Sequence, residues 1–108
     1  MKIGKQSALD ELKKSGKLFT ELFSHGTLSV EVFKPQKTDE QTPHDKDEVY
    51  VVIAGKGEFS CGDEVYPFEA GDFLFVPAGV EHRFVDFSED FSTWVIFYGP
   101  SGGEARKN

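Results

Sequence analysis

After Gly16 the chain never settles into a helical period. It runs instead in short stretches dense in Phe, Val, Ile, Leu and Tyr, each closed within a few residues by Gly, Pro, Asp or Ser. Stretches of that length and composition suit strands, and their punctuation suits tight turns. The pattern predicts strands at 19–23, 28–33, 49–54, 58–61, 65–68, 73–76, 82–87 and 93–98. Gly62-Asp63 marks a hairpin between two of them, and Gly55-Lys56-Gly57 reads as another hairpin turn. Many strands at regular spacing, with no helix between them, argue against a parallel α/β sheet and for an all-β sandwich or barrel. Ahead of them, residues 7–15 read as one short helix, capped by Ser7 and stopped by Gly16. Only Leu9 and Leu12 give it an apolar face, which predicts a surface position. The tail, 99–108, reads as irregular.

The 108 residues make one domain with room for a single modest core, its barrel spanning about 18–98. Eleven Phe are many for that length, and large flat side chains suit the interior of a closed β structure. Nineteen acids against twelve bases give a net charge of -7. That charge repels phosphate backbones and anionic bilayers, so neither nucleic acid nor membrane is an expected partner. No apolar run reaches bilayer-spanning length, and no secretory leader opens the chain. Cys61 is alone, which excludes a disulfide framework and, with no cationic neighbour in view, argues against a nucleophile. A cytoplasmic location is the expectation.

Residues 71–86 carry the sharpest motif: Gly71, Pro77 after five intervening residues, Gly79, and His82 at the start of the next strand. Upstream, His44, Glu48 and Gly55 stand at spacings of three and six intervening residues. Both sets resemble the two motifs of the cupin superfamily, and the fifteen-residue gap between them, 56–70, is similar to that of small single-domain microbial cupins. The resemblance covers roughly residues 28–98. It departs from the family pattern at Gln36, where the opening Gly is expected, at Thr42, where the first His is expected, and at Asp86, where the final Asn is expected. It implies a double-sheet jelly-roll barrel, a double-stranded β-helix, with a divalent metal (Fe, Mn, Zn or Ni) on His44, Glu48 and His82.

The residue pattern is compatible with that implication. Residues two or four apart in a strand share a face. Glu48, Tyr50 and Val52 therefore point together, as do His82, Phe84 and Asp86. If both faces look inward, two imidazoles and a carboxylate converge among aromatic rings. A buried carboxylate needs a partner, and a divalent cation is one that also uses both imidazoles. Taken singly, each residue admits a plainer reading: His44 in a polar loop, Glu48 at a strand edge, His82 bonded in a turn. His25, before Gly26, reads as a surface turn residue, and Arg83 as solvated on the face opposite His82. Gln41 lies within reach of a water at such a site.

Two function classes stay open. One is a metalloenzyme, a dioxygenase, isomerase or lyase for a small polar organic molecule, with Glu48 and Tyr50 as catalytic groups and Tyr50 donating a proton. The other is a non-catalytic module that senses a small molecule or the metal. A homodimer is expected in either case, formed through the apolar face of Val49, Val51 and Ile53.

Overall fold

The computed structural model describes residues 1–105. In chain order its elements are α1 (Lys5–Ser15), β1 (Phe19–His25), β2 (Leu28–Phe33), β3 (Asp47–Ala54), β4 (Lys56–Cys61), β5 (Glu64–Glu69), β6 (Phe73–Val76), β7 (His82–Val85) and β8 (Ser92–Tyr98). All ladders are antiparallel. Five strands form one sheet in the order β1-β2-β8-β3-β6, and three form the other in the order β5-β4-β7. This is the all-β jelly-roll barrel that the strand pattern and the motif resemblance predict. Of the predicted tail, 99–105 is irregular, and 106–108 lie outside the described residues.

The core lies between the sheets. Tyr50, Val52, Val76 and Val95 come from the larger one, Phe59, Phe68 and Phe84 from the smaller, and Phe91 from the turn before β8. Phe84 is the hub, its ring centroid 4.6–5.3 Å from those of Phe91, Phe59, Tyr50 and Phe68. Removing a ring so placed costs about 3–5 kcal/mol, a large share of what a domain this small has.

Three local expectations are corrected. The helix begins at Lys5, with Gly4 rather than Ser7 at its N-cap, and Ser7 sits inside its first turn. Gly16 does stop it, at φ 68°, its N–H donating to Lys13 O. The helix is not merely superficial, because Ala8 and Leu12 are buried on Val32, with Ile53 and Trp94 packed around them. Alanine counts little as an apolar residue in a pattern, yet here its small size lets the helix approach the outer face of the large sheet. Finally, Gly55 is no hairpin turn. β3 pairs with β6 and β8, whereas β4 pairs with β5 and β7, so Gly55 is where the chain crosses from one sheet to the other. Its φ is +89°, and a Cβ there would lie 2.5 Å from Phe91 Cα, so only glycine fits.

Candidate metal centre

The site straddles both sheets. Glu48 and Tyr50 stand on β3 of the large sheet, and His82 opens β7 of the small one. His44 lies just before β3, in a segment without regular structure. The inward parity of Glu48, Tyr50 and Val52 holds, and all three are buried. So does the alternation of buried His82 and Phe84 with exposed Arg83. Asp47 anchors the start of β3: its carboxylate accepts the backbone N–H groups of Ala78 (3.0 Å) and Glu104 (2.8 Å). Gly79 N–H in turn donates to His44 O (2.7 Å), so the two motifs are tied together through the backbone.

His44, Glu48 and His82 are brought together: one potential ligand atom from each lies within 4.8 Å of the others. His82 Nε2 is 3.1 Å from Glu48 Oε1, and His44 Nε2 is 3.9 Å from it. The His82 Nδ1 atom is 2.9 Å from Val80 O, a contact that requires Nδ1–H to donate. A neutral His82 therefore turns the bare lone pair of Nε2 towards Glu48. The Glu48 side chain is 1% exposed, and neither of its oxygens accepts a hydrogen bond. Leaving such a carboxylate unpaired costs several kcal/mol, so the arrangement asks for a positive charge.

A proton on His82 is one answer. Burial by itself disfavours the imidazolium, but Glu48 and the bond to Val80 outweigh it and raise the His82 pKa above its ordinary 6.5. A divalent cation is the other. Ligands held about 2.1 Å from one ion at right angles stand about 3 Å apart, close to the His82–Glu48 separation. Donor chemistry, the burial of Glu48 and His82, and the convergence of all three side chains fit an ion held by His44, Glu48 and His82.

Tyr50 is fully buried against Phe59 and Phe84. Burial, followed by the neighbouring Glu48 charge, pushes its hydroxyl well above the usual phenol range. Tyr50 therefore stays a phenol and donates, and its partner is Gln41 Oε1 at 3.0 Å. Gln41 is the residue of the cluster that the sequence pattern undervalues: it touches Tyr50 and both imidazoles, not only solvent. The signal that points to it is its place one residue before Thr42.

Thr42, where the motif has its first His, is exposed. His25 is exposed beside Phe23 at the β1–β2 hairpin, as a surface turn residue should be. Asp86 is exposed with φ 50°, a conformation that Asn and Asp tolerate, which explains why Asp can stand where the motif has Asn. Burial, then Glu64 and Glu48, raises the Cys61 pKa, so it is no activated nucleophile.

The centre opens into a cavity of about 230 Å³ whose other walls are Phe19, Glu31, Phe33, Val95 and Phe97. Sites for drug-sized ligands measure roughly 300–1,000 Å³, so this one admits only a small molecule. A larger groove, about 700 Å³, lies beneath α1 between Leu9 and Ser92, away from these side chains. Among the described residues, His44, Glu48 and His82 are the one group of three His, Cys, Asp or Glu side chains close enough to share an ion.

A barrel of two antiparallel sheets with an acid and two imidazoles converging inside defines a class of protein, and comparison with known families agrees. The family model described as "Cupin domain" matches residues 29–97, and the chain belongs to that family. Over 63 residues it is 43% identical to an uncharacterised protein of Streptomyces coelicolor, covering 58% of this chain and 60% of that one. It is 34% identical over 107 residues to an acireductone dioxygenase of Pseudomonas savastanoi pv. phaseolicola, covering 83% of this chain and 57% of that one. The chain thus spans somewhat over half the length of these curated relatives. Among solved structures, the DMSP lyase DddQ from Ruegeria pomeroyi superposes with a TM-score of 0.64 at 23% identity, covering 75% of this chain and 46% of that one, a likeness of fold.

Proposed function

We propose that this protein is a metal-dependent enzyme of the dioxygenase or isomerase/lyase type, acting on a small polar organic molecule. His44, Glu48 and His82 hold the metal. The observation that carries the reading is the Glu48 carboxylate, buried, without a hydrogen-bond donor, and facing imidazole nitrogen at the wall of a cavity. A bound divalent ion supplies Lewis acidity to a substrate oxygen. The chain's own groups do the rest. Phe19, Phe33 and Phe97 give the cavity an apolar wall. Tyr50 offers a phenol proton to negative charge developing on the substrate. The likeness to an acireductone dioxygenase supports chemistry at a metal.

One observation favours a second reading, a non-catalytic binding or sensing module. The Tyr50 proton is already committed to Gln41 and held there by its raised pKa, as befits a donor that orients a ligand without transferring a proton. Metal analysis of the purified protein, followed by incubation of a thermal-shift hit with wild type and Glu48→Gln, separates the readings. Conversion that depends on Glu48 supports the enzyme, and an unchanged ligand supports the module.

A homodimer belongs to the same proposal. Phe73 and Phe75 point outward on β6, an edge strand, beside Val49 and Val51 of β3. Ile53 drops out of the expected face because α1 covers it.

A further inference from the structure

We propose that Gln41 is a fourth protein ligand of the metal centre and that Asp39 is the residue that aims it. The inference rests on the metal reading above and goes beyond its three ligands.

Gln41 Oε1 sits at the focus of the site. It lies 3.2 Å from His82 Nε2, 3.3 Å from His44 Nε2 and 3.0 Å from Tyr50 Oη. The contact with Tyr50 is an ordinary hydrogen bond, with the phenol donating. The contact with His82 is not, when that ring is neutral: its single N–H is spent on Val80 O, so a carbonyl lone pair meets an imidazole lone pair. Two such atoms stay close only around something positive. Glu48 Oε1, 3.1 Å from the same nitrogen, makes the same demand. Both separations are close to the roughly 3 Å expected between neighbouring ligands of one ion.

The amide is not free to turn its nitrogen inward. Gln41 Nε2 donates to Asp39 Oδ2 at 2.6 Å. Asp39 is itself 3% exposed, and its carboxylate also accepts from Phe84 N (2.9 Å) and Gln41 N (3.1 Å). A flipped amide would set its oxygen against that carboxylate, two acceptors with no proton between them. Asp39 therefore fixes the Gln41 oxygen towards the imidazoles, as carboxylates behind metal ligands commonly do. The Phe84 N–H ties the pair to β7, two residues from His82. Gln41 thus offers an oxygen to the site next to Thr42, which is exposed and has no imidazole to give. It brings a neutral oxygen to a set of two nitrogens and a carboxylate, a mixed set suited to Fe, Mn, Co or Ni.

The test is a cobalt(II) titration of the full chain, reading affinity by chelator competition and the visible ligand-field spectrum together. Wild type and Thr42→Ala should bind one equivalent with the same spectrum. Gln41→Ala should weaken binding about tenfold or more and change the spectrum. Gln41→Leu keeps the volume and should show the same loss if the alanine variant folds poorly. Asp39→Asn should shift the spectrum towards that of the Gln41 variants, which a purely structural role would not do. If both Gln41 variants match wild type while His82→Ala binds no cobalt, the metal reading stands and Gln41 is not a ligand. If Asp39→Asn matches wild type while both Gln41 variants do not, Gln41 is a ligand and Asp39 does not position it. If wild type itself binds no cobalt, the metal reading fails and this inference with it.

Discussion

His82 Nε2 and Glu48 Oε1 stand 3.1 Å apart inside the barrel, contributed by different sheets and both screened from water. Neither sheet alone builds this pair, so an ion held there binds the folded chain and not the unfolded one. With free metal at 100 times its Kd, binding adds about 2.7 kcal/mol. For a domain of this size that is a Tm difference of roughly 10–20 °C. Differential scanning fluorimetry with and without chelator should show it, and His82→Ala and His44→Ala should erase it. Identical melting of wild type in both conditions would count against the site.

Glu31 shares a row with Val95 and Tyr50 across the large sheet, facing the cavity. Burial, then repulsion from Glu21 and Glu48, raises its pKa above the ordinary 4.5. The folded chain therefore keeps a proton that the unfolded chain gives up just above pH 4.5, and stability falls as pH rises through that window. Below it both states are protonated and nothing is lost. In chelated protein Glu31→Gln should raise stability at pH 7 by about 0.5 kcal/mol, a screened value for a half-buried group. That is about 2–4 °C in Tm, and the gain should vanish near pH 4. A difference independent of pH would show that Glu31 acts by packing alone.

At Gly55 both backbone conformation and space are spent. An added Cβ meets Phe91 Cα at 2.5 Å and Ser88 Oγ at 2.8 Å, at φ +89°. Gly71 has almost the same φ, +91°, with nothing within 4 Å. Gly71→Ala should therefore cost only conformational strain, about 1 kcal/mol. Gly55→Ala should cost at least about 3 kcal/mol, since two packed backbones must part. Thermal denaturation of the two variants isolates the clash. Equal losses would mean that the crossing between sheets is loosely packed.

What the sequence made legible, and what it hid, follows from the range of the interactions involved. Strands 28–33 and 73–76 are recovered to the residue because their limits are local: apolar runs closed by Gly, Lys or Pro. His82 and Glu48 are legible because strand parity carries over from sequence to structure. Gly55 reads as a turn in sequence because a turn and a crossing use the same residue, and only pairing with distant strands tells them apart. Gln41 stays hidden in sequence because its orientation depends on Asp39, and Asp39 on the Phe84 N–H forty-five residues later. No short-range pattern contains that bond.

The outer face of β6 calls for a partner. Phe73 is 65% exposed and Phe75 46%, side by side with Val49 and Val51 at the edge of the five-stranded sheet. Apolar side chains so grouped on an unpaired edge favour association with a second copy. Light scattering at micromolar concentration should give the mass of a dimer. Phe73→Lys with Phe75→Lys should give a monomer whose melting temperature, measured with chelator present, is lower at equal chain concentration. A monomeric wild type would refute the assembly.

Tyr50→Phe distinguishes the enzyme from the sensor. The substitution keeps the ring against Phe59 and Phe84 and removes only the hydroxyl that donates to Gln41. Its structural cost is one hydrogen bond, about 1 kcal/mol. If Tyr50 supplies a proton to the reacting molecule, conversion of a thermal-shift hit by metal-loaded protein should fall about 10²–10⁴-fold while metal affinity changes little. Oxygen uptake during turnover marks a dioxygenase, and anaerobic conversion an isomerase or lyase. If Tyr50 only orients a ligand, the same variant should lose about tenfold in ligand affinity, with no product from either protein. A hit that survives long incubation with wild type, in air and without it, moves the protein to the sensing class.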